Sequence, residues 1–172
     1  MTYNFLEMAA RSRSVREFDD ALAYSLRSLS CSNLSLKTEQ REILLNLFAK
    51  RNVFAWLPTG YGKSICYQVL PFLLSSSSAS LVIVVSPLVS LMVEQTRALR
   101  KAGVSSAILS TAAGKVDKTL TATEEDLKTS RLLFTSPEAI LCSAWRESVQ
   151  SKGVAERVVA VAIDEAHCVS KW

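Results

Sequence analysis

The stretch that decides the fold is residues 53–68, which read VFAWLPTGYGKSICYQ. The apolar run Val53–Leu57 predicts a short strand, and the end of the stretch predicts a helix that Pro71 kinks or ends. Between them, Gly60 and Gly62 allow the backbone to turn tightly, so that its N–H groups can point inward. A strand, a glycine-rich loop and a helix in this order predict a phosphate-binding loop.

The loop ends with two polar residues whose chemistry suits a polyphosphate. Lys63 would reach the β and γ phosphates, and Ser64 would place its hydroxyl on magnesium. The strict pattern has glycine where this chain has Leu57, so a chance glycine-rich turn is the alternative. Because the loop lies between a predicted strand and a predicted helix, we interpret it as a nucleotide site.

A second candidate site follows the last predicted strand, Val158–Ile163. Asp164 would hold the magnesium through water, and Glu165 would orient and deprotonate the attacking water. Taken separately, an acidic pair here would mark a helix start, and a single histidine would be a structural hydrogen bonder. Together with the lysine and serine of the loop, the pair is better explained as catalytic, and His167 joins it.

Strands and helices alternate along the rest of the chain. Apolar strands separated by helices predict an α/β fold with a parallel sheet covered on both faces. Ligands of such sheets bind at the carboxyl ends of the strands. The remaining predicted elements are helix Glu39–Lys50, strand Leu81–Val85, helix Leu88–Lys101, strand Ser106–Leu109, a helix from Thr123, strand Arg131–Phe134 and helix Pro137–Gln150, with a serine-rich surface loop over residues 75–80.

The first residues differ from the rest and predict a separate segment. Residues 1–35 are expected to be a helical extension with a linker, and residues 36–172 the main domain. Ser14–Glu17 fits a capping box that begins the helix. The helix would pack on the main domain or, alternatively, bind a partner. Its apolar face would consist of Val15, Phe18, Leu22, Leu26 and Leu29.

Composition limits the function classes. The 172 residues allow one domain and exclude a machine with two large lobes. A net charge of +4 permits a phosphate-rich partner without requiring one. The four cysteines form no CxxC pair, no apolar leader is present, and Leu81–Val85 is too short to span a membrane. These features predict a reduced, soluble, intracellular protein without membrane contact.

The chain from about residue 36 onward resembles the RecQ family of DNA helicases, within the DEAD/DEAH-type helicases. Leucine before the proline is usual in that family's motif I, which accounts for Leu57. Cys168 after DEAH, with Trp172 four residues later, points to RecQ rather than to RNA helicases. The matching segments are residues 57–68 (motif I), 85–95 (motif Ia), 134–138 (a strand-end motif) and 164–172 (motif II with the aromatic-rich loop).

The resemblance implies a RecA-like P-loop NTPase lobe that uses ATP and Mg²⁺ and is incomplete at its C-terminus. Gln40 would read the adenine, and Lys37 lies where the family has an arginine that stacks near the base. The aromatic residue expected upstream is not found, since Asn33 lies there. The implied cofactor-binding residues are Lys37, Gln40, Pro58, Thr59, Gly60, Tyr61, Gly62, Lys63 and Ser64, with Ser64 and Asp164 as magnesium ligands.

The resemblance also implies DNA as the partner. Small side chains at strand ends suit contacts with a single-strand backbone, although serines there can equally cap loops. His167 would couple the nucleotide state to the DNA-sensing loop. The family translocates 3′ to 5′, unwinds duplexes and acts in repair and recombination, which implies a nuclear protein. The implied DNA-contacting residues are Ser86, Pro87, Leu88, Ser90, Thr135, Ser136 and Trp172.

The sequence stops at Trp172, before the second lobe that the family uses. That lobe supplies an arginine finger, which is worth about 10³ to 10⁵ in rate. We therefore expect a truncated lobe that binds Mg·ATP weakly, hydrolyses it negligibly and does not unwind DNA. The alternatives are a non-catalytic nucleotide- or DNA-binding regulator, and a small P-loop kinase or other NTPase, for which no lid or acceptor site is recognisable.

Overall fold

A computed structural model describes residues 5–74, 80–109, 119–151 and 153–166. The serine-rich residues 75–79, His167, Cys168 and Trp172 lie outside these ranges. By its contacts the chain divides into an N-terminal unit, Met1–Leu74, and a C-terminal unit, Ser75–Trp172. The expected division after residue 35 stays a prediction.

The described part of the N-terminal unit contains four helices and no strand. The capping box predicted at Ser14–Glu17 is wrong, because the first helix already begins at Phe5 and contains that segment. The preceding residues include no glycine or proline, so nothing ends the helix there. The helices are α1 (Phe5–Ser28), α2 (Thr38–Phe48), α3 (Ser64–Gln68) and α4 (Leu70–Leu73), and the break before α4 confirms the predicted interruption near Pro71.

The core of this unit forms on the predicted apolar face of α1. Phe18 is fully buried, and Leu22 and Leu29 are almost so. The Phe18 ring meets Phe48 of α2 edge to face, with 5.6 Å between ring centroids, a favourable arrangement for aromatic pairs. Val15, by contrast, is 42% exposed and lies off the buried face. The amphipathic helix is confirmed, and its buried face is narrower than predicted.

The strand predicted at Val53–Leu57 is wrong. Residues 51–58 form neither helix nor strand, and Phe54 and Trp56 are 80% and 89% exposed. A strand exists only where a neighbour completes its backbone hydrogen bonds. No described strand pairs with this segment. Apolar character was therefore insufficient to make it a strand.

The C-terminal unit contains a four-stranded parallel sheet in the order β2-β3-β1-β4. This confirms the predicted α/β fold. The long helix predicted after Pro137 is divided at Cys142, and a short extra helix precedes the last strand. The elements are β1 (Leu81–Val85), α5 (Val89–Lys101), β2 (Ser106–Ile108), α6 (Glu124–Thr129), β3 (Leu132–Thr135), α7 (Pro137–Leu141), α8 (Ser143–Ser151), α9 (Val154–Arg157) and β4 (Val158–Ile163).

The four strands differ in how deeply their side chains are buried. Strands β1, β2 and β3 are buried along their whole length, as expected for a covered parallel sheet. Among the described strands, β4 pairs only with β1, and its Val161 and Ile163 are 55% and 52% exposed. Val85 is in register with both Thr135 and Ile163, so the carboxyl ends of three strands lie level. Within the described ranges, no helix has the length and hydropathy that crossing a membrane requires.

Candidate nucleotide site

The glycine-rich loop has the conformation that its sequence predicts. Gly60 and Gly62 have φ angles of 76° and 79°, in the left-handed region that glycine adopts without steric cost. The Tyr61 N–H donates to the Pro58 carbonyl at 3.2 Å and closes the turn. Lys63 then begins the helical backbone as the N-cap of α3. The segment is a turn that leads directly into a helix.

Side chains at the start of α2 hold this loop. Lys37 Nζ lies 3.7 Å from the centroid of the Tyr61 ring and donates to the Tyr61 carbonyl at 3.4 Å. The Tyr61 hydroxyl donates to the Glu39 carboxylate. Gln40 Nε2 donates to the carbonyls of Tyr61 and Gly62, each at 3.0 Å. Lys37 and Gln40 are thus brought to the loop, while their contact with adenine stays a prediction.

Glu39 is a member of the site that sequence reasoning missed. The Tyr61 hydroxyl bond is the main cause that lowers the pKa of Glu39, and the same bond raises the pKa of Tyr61. At neutral pH the carboxylate is therefore ionised and the phenol protonated, which makes the bond charge-assisted. The two residues are 22 positions apart, and no short-range pattern relates them.

The residues at the end of the loop fit a polyphosphate. Among the described residues, none accepts a hydrogen bond from the N–H groups of Gly62 and Lys63. Backbone N–H groups of this kind, with a nearby lysine, are the donors that phosphate oxygens require. The Ser64 hydroxyl and the Asp164 carboxylate are oxygen ligands of the type that magnesium prefers. Ser64 belongs to the N-terminal unit and Asp164 to the C-terminal unit.

The cysteine behind the loop is a packing residue. Cys66 lies in α3, two residues after Ser64, and is buried. Burial raises the pKa of its thiol to about 11, so it remains protonated at physiological pH. Cys31 and Cys142 are half-buried free thiols. The burial of Cys66 agrees with the expectation that it is a packing residue, while the reduced state of the cysteines stays a prediction.

The acidic residues follow β4 directly. The Asp164 N–H donates to the Val85 carbonyl at 2.8 Å and continues the pairing of β4 with β1. Asp164 Oδ1 accepts the Glu165 N–H at 3.1 Å. Glu165 has a φ of 53°, in the left-handed region that is uncommon for residues other than glycine, and such backbone strain concentrates at functional sites. The catalytic roles of both residues stay predictions, and His167 lies outside the described residues.

The predicted DNA-contacting residues differ in their exposure to solvent. Ser86 and Thr135 are 2% and 0% exposed, and the Ser86 N–H donates to the Thr135 carbonyl at 2.9 Å. Leu88 is 52% exposed and Ser90 is also exposed.

The hydroxyl of Ser136 accepts the Ala139 N–H at 3.2 Å and so caps α7. Pro87 is half-buried, and Trp172 lies outside the described ranges. The DNA contacts stay predictions, with Leu88 and Ser90 as the accessible members.

Comparisons with known proteins identify the family. The model of the DEAD/DEAH box helicases matches residues 37–172. Similar proteins are ATP-dependent DNA helicase Q1 of Rattus norvegicus, 37% identical over 77% of this chain and 21% of that protein, and ATP-dependent DNA helicase RecQ of Synechocystis, 35% identical over 77% and 27%. A third is the probable ATP-dependent DNA helicase RecS of Bacillus subtilis, 33% identical over 80% and 26%. The chain spans about a quarter of the length of these relatives.

Proposed function

This chain belongs to the DEAD/DEAH box helicase family, with RecQ-type helicases among its relatives, and we propose that it forms the ATP-binding lobe of a RecQ-like DNA helicase. The parallel sheet flanked by helices is the α/β fold of a RecA-like lobe. The observation that carries the proposal is the loop from Pro58 to Ser64. Its glycines adopt the left-handed conformation, and the N–H groups of Gly62 and Lys63 have no acceptor among the described residues.

Each part of the site has a proposed role in nucleotide hydrolysis. The loop N–H groups and Lys63 bind the phosphates, and Gln40 with Lys37 binds the adenine. Ser64 and Asp164 would supply oxygen ligands to magnesium, which when bound would neutralise charge on the phosphate oxygens. Glu165 orients the attacking water and accepts its proton.

The proposed work of the lobe is DNA translocation. Exposed residues after β1, Leu88 and Ser90 among them, bind the backbone of a single strand, and His167 links that surface to the nucleotide. In the whole helicase, ATP hydrolysis drives 3′-to-5′ movement and duplex unwinding. Since the chain spans only a quarter of its relatives' length, we expect the 172-residue polypeptide by itself to bind nucleotide weakly and not to unwind DNA. A nuclear location stays a prediction, because the relatives include rat and bacterial proteins.

The decisive experiment measures binding of a fluorescent ATP analogue, with magnesium, to the 172-residue chain. Lys63→Ala is expected to lower the affinity by at least about tenfold, since a charge-assisted phosphate contact contributes about 1.5–3 kcal/mol. Lys101→Ala removes the same charge from an exposed position in α5 and serves as the control. Equal affinity of the parent and the Lys63→Ala protein would contradict the proposal.

A further inference from the structure

Both the nitrogen and the oxygen of the Gln40 side-chain amide form hydrogen bonds within the protein. Its Nε2 donates to the Tyr61 and Gly62 carbonyls, each at 3.0 Å, and its Oε1 accepts the Lys37 N–H at 2.9 Å. An amide nitrogen has two hydrogens, so both donors are engaged. Gln40 is only 5% exposed. Oε1 keeps one lone pair, so a hydrogen bond from a nucleotide base could be added without breaking these contacts.

These contacts fix the direction of two peptide groups in the loop. The structure has no cis peptide bonds among its described residues, and in a trans peptide the C=O and the N–H point in opposite directions. The Tyr61 carbonyl shares a peptide with the Gly62 N–H, and the Gly62 carbonyl shares one with the Lys63 N–H. Because both carbonyls point to Gln40, both N–H groups point away from it.

The fit between Gln40 and the loop is tight. A Cβ added to Gly62 would lie 3.0 Å from Gln40 Nε2, whereas one added to Gly60 would meet nothing within 4 Å. The loop backbone therefore passes directly against the amide at one of its two glycines. A shift of the amide would be transmitted to the peptides on both sides of Gly62.

We propose that Gln40 is a positioning residue for the phosphate chain, in addition to any contact with the base. It holds the carbonyls of Tyr61 and Gly62 so that the N–H groups of Gly62 and Lys63 are already aimed at phosphate oxygens before a nucleotide arrives. This inference rests on the proposed nucleotide-binding function and assigns Gln40 a role that does not require the base. A ligand with phosphates and no base should therefore detect it.

The test compares ATP with inorganic tripolyphosphate, which lacks the base, in binding to the full 172-residue chain. We expect Gln40→Ala to weaken tripolyphosphate binding by about tenfold, the effect of two lost hydrogen bonds of ordinary strength. Gln40→Glu keeps the side-chain length and the acceptor for the Lys37 N–H, but its carboxylate repels both loop carbonyls. It should bind tripolyphosphate at least as weakly as Gln40→Ala.

Asn46→Ala provides the matched control, because the side-chain amide of Asn46 lies in the same helix and, among the described residues, bonds only to the Glu42 carbonyl one turn earlier. The amide resonances of Gly62 and Lys63, followed by NMR, give a readout that a loss of stability would not imitate. They should shift on adding tripolyphosphate to the parent and to Asn46→Ala, and should shift much less in both Gln40 variants.

The outcomes distinguish a positioning role of Gln40 from a role limited to the base, and both from a failure of the proposed nucleotide-binding function. If both Gln40 variants lose affinity for ATP but bind tripolyphosphate as the parent does, Gln40 acts on the base only and the positioning role is overturned. If the parent binds neither ligand, the proposed function fails and the positioning role fails with it. Loss of tripolyphosphate binding in folded Gln40→Ala, which adds no charge, with binding retained in Asn46→Ala, supports it.

Discussion

Two apolar segments of this chain both predict strands, and only one of them is a strand. Leu81–Val85 forms β1, with all five residues buried between β3 and β4. Val53–Leu57 has no regular structure, and its Phe54 and Trp56 are among the most exposed large side chains of the described residues. Aromatic residues favour strands as β-branched residues do, so propensity does not separate the two segments. The difference is that β1 has neighbours on both sides.

The largest expected effect comes from placing a charge in each segment, which tests the difference in burial between β1 and Val53–Leu57. Val84 is fully buried in β1, so Val84→Asp should destabilise the chain by more than about 4 kcal/mol, because an unpaired carboxylate would be buried. Trp56→Asp should change the free energy of unfolding by no more than about 0.5 kcal/mol. Urea unfolding followed by circular dichroism gives both values. A large loss of stability in Trp56→Asp would show that the exposed segment is packed after all.

The second prediction concerns the glycine-rich loop, which follows the exposed segment and contacts Gln40 of α2. Gly62→Ala should destabilise the N-terminal unit by about 1–2 kcal/mol, because its φ is 79° and the new Cβ would lie 3.0 Å from Gln40 Nε2. Gly60→Ala shares the unfavourable φ but has open space, and should cost less. Thermal unfolding of both variants measures the difference. Equal losses would mean that the contact with α2 does not order the loop.

A smaller effect should depend on pH through Tyr61 and Glu39. The pKa of Glu39 is lowered, so its stabilisation is present above the ordinary value of 4.5 and is lost as pH falls through the folded value. The pKa of Tyr61 is raised, so its stabilisation is present below 10.0 and is lost as pH rises through the folded value.

Tyr61→Phe removes this bond and retains the ring beside Lys37. The difference in melting temperature between the parent and Tyr61→Phe should be largest between about pH 5 and pH 9 and should shrink at both extremes. Tyr24→Phe, at an exposed position of α1, is the control. A difference that is constant with pH would exclude the ionised bond as the cause.

The smallest change in stability is expected at β4, a strand that is less buried than β1 but, unlike Val53–Leu57, is paired with a neighbour. It pairs with β1 on one side only among the described residues, and unpaired apolar edges promote association between chains. Val161→Lys should alter the free energy of unfolding by about 0.5 kcal/mol or less, because Val161 is 55% exposed, and should reduce self-association. Light scattering at rising protein concentration measures this. Unchanged association would show that this edge is not the contact.

Much of the fold could be predicted because it depends on local pattern. The bounds of β1 and β4 are those read from runs of apolar residues, and α6 begins directly after Thr123, where the sequence predicts a helix start. The start of α1 was missed, because an internal Ser14–Glu17 pair has the same pattern as a true capping box. The apolar periodicity therefore indicated this helix without fixing where it begins.

The sequence by itself determined the turn of the loop, since Gly60 and Gly62 adopt the left-handed backbone through their own conformational freedom. It also determined which functional groups the loop carries, the amine of Lys63 and the hydroxyl of Ser64. It also determined the alternation that makes a parallel α/β fold. Only the tertiary structure decided that Val53–Leu57 is not a strand and that Glu39 and Gln40 hold the loop. The physical reason is that pairing and burial depend on residues distant in the chain, whereas turns and apolar periodicity depend on neighbours.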